Sequence, residues 1–180
     1  MSAGFKLELK VSGAEGMKKK KLNDITKEAL RSTGRRWHEE YLEGHFTKAG
    51  AQKYGYGARN GEPGSGAPLK RSYTAYKQKK KGHADPLVFS GKGKSEALAN
   101  KIVKARISSK MQSAVVTISL PRVFNFRLRK SGRGNTDAFT EIQRVTNVEL
   151  RDLESHLVKV LSLLYEKEGR KVSAAATISR

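Results

Sequence analysis

The sequence predicts an α+β fold, a small antiparallel sheet packed against two long helices, with a long basic arm extending from that body. Three observations predict it. Residues 5–11 and 114–120 alternate apolar and polar side chains with the period of a half-buried strand. Two longer segments, one near the start and one near the end, carry apolar stripes at three- and four-residue steps, the mark of helices with one buried face. Between them, residues 47–86 follow neither period.

Composition limits the alternatives. With 180 residues, the chain has the length for one domain with a modest core, and 37% of its residues are hydrophobic against 30% charged. It has no cysteine, which excludes disulfides and thiolate zinc sites and is compatible with a reducing compartment. No apolar run approaches the roughly 20 residues of a membrane span. MSAGFKLELK at the start alternates too strictly for a signal peptide.

The net charge is +20, and its placement is uneven. Residues 1–46 hold ten basic and seven acidic side chains, 47–135 hold twenty and three, and 136–180 hold seven of each. The excess therefore sits in the middle of the chain, where it would attract a polyanion or an acidic protein surface.

In order, Phe5, Leu7, Leu9 and Val11 form one face of the first strand, with Lys6, Glu8 and Lys10 on the other. The first helix is expected from about Met17 to Glu43, with Leu22, Ile25, Ala29, Trp37 and Tyr41 on its stripe. Gly34 in its middle calls for a kink or a close neighbour, and Gly44 fits a C-cap. Lys18 to Lys21 lie at the end the helix dipole disfavours for cations, which fits a partner or a solvated first turn.

The arm, 47–86, carries four tyrosines and nine basic residues but only two carboxylates, Glu62 and Asp85. Its centre, Gly61 to Pro68, is too rich in glycine and proline for a helix, and nothing in the arm reads as core. Loops of this length are uncommon in compact domains unless they work or lack order. Pro86 to Gly91 returns the chain as a short strand or plug, and a weak helix is expected from Ser95 to Lys104, with Leu98 and Ile102 in step. Ala105–Ile107 and Ala114–Leu120 read as two strands joined by Ser109 to Gln112. Val123, Phe124 and Phe126 form a short apolar element, and Arg127 to Asn135 a second basic loop. Thr146 followed by Glu149 is a capping box before Leu150, Leu153, Leu157, Val160, Leu161 and Leu164, and Gly169 ends that helix. The domain is thus expected to span 1–169, with residues 170–180 a flexible tail.

No constellation carries catalysis. Ser90-Gly91-Lys92-Gly93-Lys94-Ser95 resembles the end of a phosphate-binding loop, but Val88 stands where its first glycine is needed. His38, His45, His83 and His156 show no paired ligand spacing and read as surface or helix-end residues, so no metal or cofactor is expected. A nuclease would need convergent carboxylates and a metal, and 47–135 holds three acids in all. What stands out is tyrosine set among cations: Lys53, Tyr54, Tyr56, Arg59, Tyr73, Tyr76, Lys77, Lys79, Lys80 and Lys81 on the arm, and Arg127, Arg129, Lys130 and Arg133 on the second loop. Such sets stack bases and contact phosphates, and they also anchor protein interfaces. Composition does not separate those two uses.

Two groups of short words resemble a known family. One runs through His45-Phe46-Thr47, Lys53-Tyr54-Gly55-Tyr56, Arg59, Tyr76, Lys77 to His83 and Pro86 to Gly91; the other comprises Leu120-Pro121, Phe124 to Arg127 and the Thr146-capped helix. Together, over roughly residues 20–165, they resemble the neck proteins of tailed bacteriophages, the head–tail connector and tail-completion proteins of the virion. The resemblance implies a non-enzymatic α+β subunit of a homo-oligomeric ring around the DNA channel, located in the virion neck and assembled in the bacterial cytoplasm. Its partners would be adjacent neck, portal-adaptor or tail-tube proteins, with double-stranded DNA passing through the lumen and no membrane. The alternative is a non-enzymatic nucleic-acid-binding protein that grips its ligand with the arm.

Overall fold

A computed structural model describes residues 2–13, 15–57, 72–88, 90–107, 114–121 and 138–179. It has the expected α+β character. The chain folds into two compact units, one of residues 41–100 and 120–144, the other of 2–40, 101–119 and 145–180, where the sequence pointed to a single body with an arm.

The second of these units holds the sheet. Strands β1 (Ser2–Ser12), β2 (Val103–Ile107), β3 (Ala114–Ser119) and β4 (Ser173–Ser179) lie in the order β2-β3-β1-β4, and every neighbouring pair is antiparallel. The alternation expected in β3 holds: Ala114, Val116 and Ile118 are buried, and Val115 is exposed. The register sets Phe5 opposite Val116 and Leu7 opposite Ala114. The turn between β2 and β3 lies outside the described residues.

Helix α1 (Lys19–Glu40) packs on β2 and β3. Its buried positions, Ile25, Thr26, Ala29, Leu30, Thr33, Gly34, Trp37 and His38, recur in adjacent pairs every three or four residues, one face of a 3.6-residue repeat. The two threonines tolerate burial because each hydroxyl donates to the carbonyl one turn back, Thr26 to Leu22 at 2.9 Å and Thr33 to Ala29 at 3.0 Å. Gly34 marks a close neighbour rather than a kink. A Cβ there would lie 2.5 Å from Val103 Cγ1 and 2.8 Å from Val116 Cγ1, so its missing side chain is what lets the helix seat on the sheet. The helix stops three residues before the expected end. Gly44 is not its C-cap but belongs to a short 3-10 helix, Leu42–Phe46.

Helix α6 (Asn147–Glu166) packs on α1 and β4. Its capping box is complete: Thr146 Oγ1 accepts from the Glu149 amide at 3.3 Å, and Glu149 Oε2 accepts from the Thr146 amide at 2.9 Å. Leu153, Leu157, Leu161 and Tyr165 are buried. Burial raises the Tyr165 phenol above the usual tyrosine range, against a smaller opposing effect of the Thr26 hydroxyl. Polar contacts flank the α1–α6 seam. Arg36 forks onto both carboxylate oxygens of Asp152 at 2.8 and 3.1 Å, and Ser32 Oγ lies 3.0 Å from His156 Nε2. Desolvation, followed by the nearby Arg36 charge, pushes the His156 imidazole below its usual range. Replacing Thr146 by alanine is expected to cost about 1 kcal/mol in urea unfolding, whereas serine, which keeps the accepting oxygen, should cost only a fraction of that.

The C-terminal segment corrects the expectation of a flexible tail over 170–180. Gly169, at φ +69°, turns the chain after α6, and residues 173–179 run back antiparallel to β1 from Ser12↔Ser173 to Lys6↔Ser179. The physical reason is that strand addition is driven by backbone hydrogen bonds, which SAAATIS supplies with Ile178 as its one large apolar residue. Its weak alternation, with Ala174 and Ala176 half-buried and Ser173, Ala175 and Thr177 exposed, is the only local signal.

The first-named unit is built from the 3-10 helix and α2 (Lys48–Lys53), α3 (Tyr73–Lys81), α4 (Lys92–Ala99) and α5 (Ala138–Ile142). Leu42, Phe46, Val88, Ala97, Leu120 and Ile142 are buried in it. Helix α4 starts three residues earlier than expected and ends at Ala99, leaving Ile102 exposed outside it. Pro86 and Val88 are buried without forming a strand, so this segment acts as the plug rather than as a strand. The apolar element at Val123, Phe124 and Phe126 lies outside the described residues.

Candidate interaction surface

The arm is not extended where it is described. Thr47 opens α2 by accepting from the Gly50 amide at 2.9 Å, and its hydroxyl donates to the Gly44 carbonyl at 2.9 Å. That double use of one hydroxyl folds α2 back against the 3-10 helix. The turn carries Tyr54 onto His45, whose rings stack at 3.8 Å between centroids and 7° between planes. His45 Nδ1 lies 2.6 Å from the Tyr56 hydroxyl, and the Tyr54 and Tyr56 rings sit 6.1 Å apart. Both His45 and Tyr54 are buried, Tyr54 at 6% exposure. The expectation that nothing in 47–86 is core is therefore corrected, and of the surface or helix-end positions expected for the histidines His45 takes the second, in the last turn of the 3-10 helix, but buried. A tyrosine face matched to an imidazole face buries both rings, and the ring nitrogen keeps a polar partner.

Two residues far along the chain complete this knot. Glu141 on α5, itself buried, accepts from the Gly57 amide at 3.1 Å, and Arg144 donates to the Tyr54 carbonyl at 2.9 Å and to the Gly55 carbonyl. Gly55 takes φ +59°, which frees the carbonyls to turn toward one guanidinium. Lys53 remains exposed, with Nζ 5.1 Å from the Tyr54 ring centroid and 5.8 Å from that of Tyr41.

Tyr73, Tyr76, Lys77, Lys79, Lys80 and Lys81 all fall on α3. Ser72 caps it by accepting from the Ala75 amide at 3.2 Å, and Gly82, at φ +74°, closes it with its amide bonded to the Gln78 carbonyl at 2.9 Å. Three lysines in the last turn suit the negative end of the helix dipole, which makes YTAYKQKKK a helix despite its charge. Lys77 is the exception among the cations. It is buried, donates to the Asp85 carbonyl and holds Nζ 5.8 Å from the Tyr73 ring centroid, so it ties α3 to the loop that follows. Tyr73 and Tyr76 are 39% and 53% exposed, and Lys79, Lys80 and Lys81 are exposed. With Tyr76 three residues before Lys79 and four before Lys80, the helix presents an aromatic ring beside two ammonium groups.

The predicted site residues thus separate into two roles. Tyr54, Tyr56 and Lys77 stabilise the unit, whereas Tyr73, Tyr76, Lys79, Lys80 and Lys81 form an exposed basic and aromatic surface. Arg59 and the second loop, Arg127, Arg129, Lys130 and Arg133, lie outside the described residues. Sequence reasoning missed His45, Glu141 and Arg144. His45 had a local hint in its apolar neighbour Phe46, but the other two act on backbone groups more than eighty residues away and leave no local signature.

Among the described residues, no group of three or more histidines and carboxylates is placed to hold a metal ion, and no helix is long and apolar enough to cross a membrane. No protein-family model matches the chain, and searches of curated proteins and of solved structures return no match.

Proposed function

We propose that this chain is a structural virion protein of a tailed bacteriophage, a ring-forming neck subunit of the head–tail connector or tail-completion type. The observation that carries the reading is where the family-like words fall. His45-Phe46-Thr47 and Lys53-Tyr54-Gly55-Tyr56 supply the ring stack, the α2 cap and the carbonyls held by Arg144. Words that build a fold are what a resemblance between structural subunits would rest on. A nucleic-acid grip would have to stack bases on Tyr73 and Tyr76 of α3, since Tyr54 is buried.

In this reading, the exposed face of α3 docks on an acidic surface of the adjoining neck or tail protein. Tyrosine supplies rigid contact area there, and the lysines supply complementarity and steering. Channel-facing lysines would instead hold DNA by its phosphates and hinder its passage.

Mass spectrometry of purified, nuclease-treated virions tests the reading: the protein should be present at a low, fixed ratio to the major capsid protein, and its absence sinks the proposal. The variant Lys79→Glu/Lys80→Glu/Lys81→Glu tests the docking face. It should keep its fold and lower the yield of joined particles by about tenfold or more, the effect of weakening the docking by roughly 1.4 kcal/mol. Were the arm a nucleic-acid grip, duplex or single-strand affinity would collapse instead, and the salt slope would fall by roughly 0.7–0.9 for each phosphate no longer neutralised.

A further inference from the structure

The sheet has two open edges of different character. Among the described residues no strand pairs with the outer side of β2 or with the outer side of β4. An unpaired edge presents a row of amide and carbonyl groups that readily template another strand, and proteins blunt such edges with charge, proline or bulges. Edge β2, VKARI, is blunted: Lys104 and Arg106 are both exposed on it. Edge β4, SAAATIS, has no charge and no proline over seven residues, and Ser173, Ala175 and Thr177 are exposed.

Strand directions add a second constraint. Because all three neighbouring pairs are antiparallel, β2 and β1 run one way and β3 and β4 the other. The two edge strands are therefore opposed. A rotation that carries one copy of the sheet onto the next, edge to edge, places β2 of the second copy antiparallel to β4 of the first. With an odd number of strands the boundary pair would have been parallel. The four-stranded order thus continues across the boundary without a break in its pattern.

We propose that copies of this chain associate through this edge, β4 of one subunit pairing with β2 of the next. The charges select the arrangement. Pairing β2 with a second β2 would set Lys104 and Arg106 against their own copies, and like charges across a strand pair are unfavourable. Pairing β2 with β4 sets the same cations opposite serine, alanine and threonine. The blunting of β2 thereby forbids self-pairing while leaving an uncharged strand acceptable. Because the two surfaces differ, the contact is heterologous, the kind that closes into rings when the rotation permits. The inference deepens the ring assembly proposed above by naming its joint, and it rests on that assembly without requiring the virion location.

The lack of native cysteine makes the test direct. Arg106→Cys and Ala175→Cys are made as separate full-length variants, with Lys104→Cys and Thr177→Cys as a second pair at another step along the strands. Under mild oxidation, a mixture of the β2 and β4 variants should form a covalent dimer, each variant alone should not, and a chain carrying both should give a ladder of oligomers. Light scattering on the unmodified protein should show the matching assembly, and Thr177→Lys, which stands opposite Glu8 within the subunit but opposite Lys104 across the proposed joint, should weaken it by roughly tenfold without lowering the melting temperature of the monomer. Cross-linking of Ala175→Cys with itself would overturn the proposal in favour of a two-fold β4 pair. An assembled ring without any β2–β4 cross-link from either pair would overturn it too, while leaving the neck reading intact. A protein that stays monomeric at all concentrations sinks the edge joint, and its copy number in virions then decides the neck reading separately.

Discussion

Replacing Gly50 by alanine is expected to destabilise the unit around His45 by about 3 kcal/mol, the combined size of an overpacked backbone contact and a broken helix cap. The added methyl has nowhere to go. A Cβ on Gly50 would lie 1.8 Å from the Gly44 carbonyl oxygen, 2.8 Å from its carbon and 3.1 Å from Thr47 Oγ1. Two of these are backbone atoms, so no side-chain rotation relieves the clash. The same oxygens form the corner itself, since Thr47 accepts from the Gly50 amide and donates to the Gly44 carbonyl. Opening the corner far enough to admit a methyl breaks both bonds and draws Tyr54 off the His45 ring. Gly44→Ala is the matched control. A Cβ there meets only the Tyr54 hydroxyl oxygen at 3.6 Å, an ordinary contact, and its cost should stay below 1 kcal/mol. Urea unfolding of the two variants measures the contrast, with the tyrosine near-ultraviolet dichroism reporting the stack. If Gly50→Ala proves as mild as Gly44→Ala, the described corner is wrong.

That corner also shows why the arm was misread. In composition, 47–86 is glycine, tyrosine and lysine with few aliphatic residues, and a core is ordinarily recognised by its aliphatic residues. Here the core is made of rings and buried hydrogen bonds. A stacked imidazole and phenol, a buried carboxylate and a guanidinium on two carbonyls replace the leucines and valines that would have announced it. Lys77 went astray for a related reason. A lysine in YKQKKK looks like one cation among four, and only the position of the Asp85 carbonyl turns it inward. Tyr76, Lys79, Lys80 and Lys81 are exposed because helix geometry leaves them outside once Lys77 faces in.

The sheet-bearing unit was far more legible, since its stability comes from periodic apolar faces. Val116 and Ile118 alternate within a strand, Ala29 and Leu30 repeat along α1, and the Thr146–Glu149 box marks a helix start within four residues. Strand β4 escaped because its pairing is carried by backbone groups common to every residue. The premature end of α1 escaped because Leu42 and Phe46 continue an apolar pattern that a 3-10 turn can carry as well as an α-helix.

The stripe on α6 provides the sharpest test of that unit. Leu157 is fully buried, and Leu163, on the same helix, is half exposed. Leu157→Ala is expected to cost about 2–5 kcal/mol, because the transfer free energy of the deleted methyl groups is compounded by a cavity between packed elements. For a chain of this size that lowers the melting temperature by roughly 2–4 °C per kcal/mol. Leu157→Met, which nearly conserves volume, should cost less than about 1.5 kcal/mol. Leu163→Ala should change stability by no more than about 0.5 kcal/mol. The three variants share one helix and nearly one residue type, so propensity differences stay small and burial alone separates them. The comparison also bears on assembly. In the isolated chain Leu163 has little to lose, but if a neighbouring subunit covers it, Leu163→Ala weakens association while sparing the monomer. A Leu163→Ala variant as unstable as Leu157→Ala at concentrations where the protein is monomeric would mean that α6 is rotated from the face described.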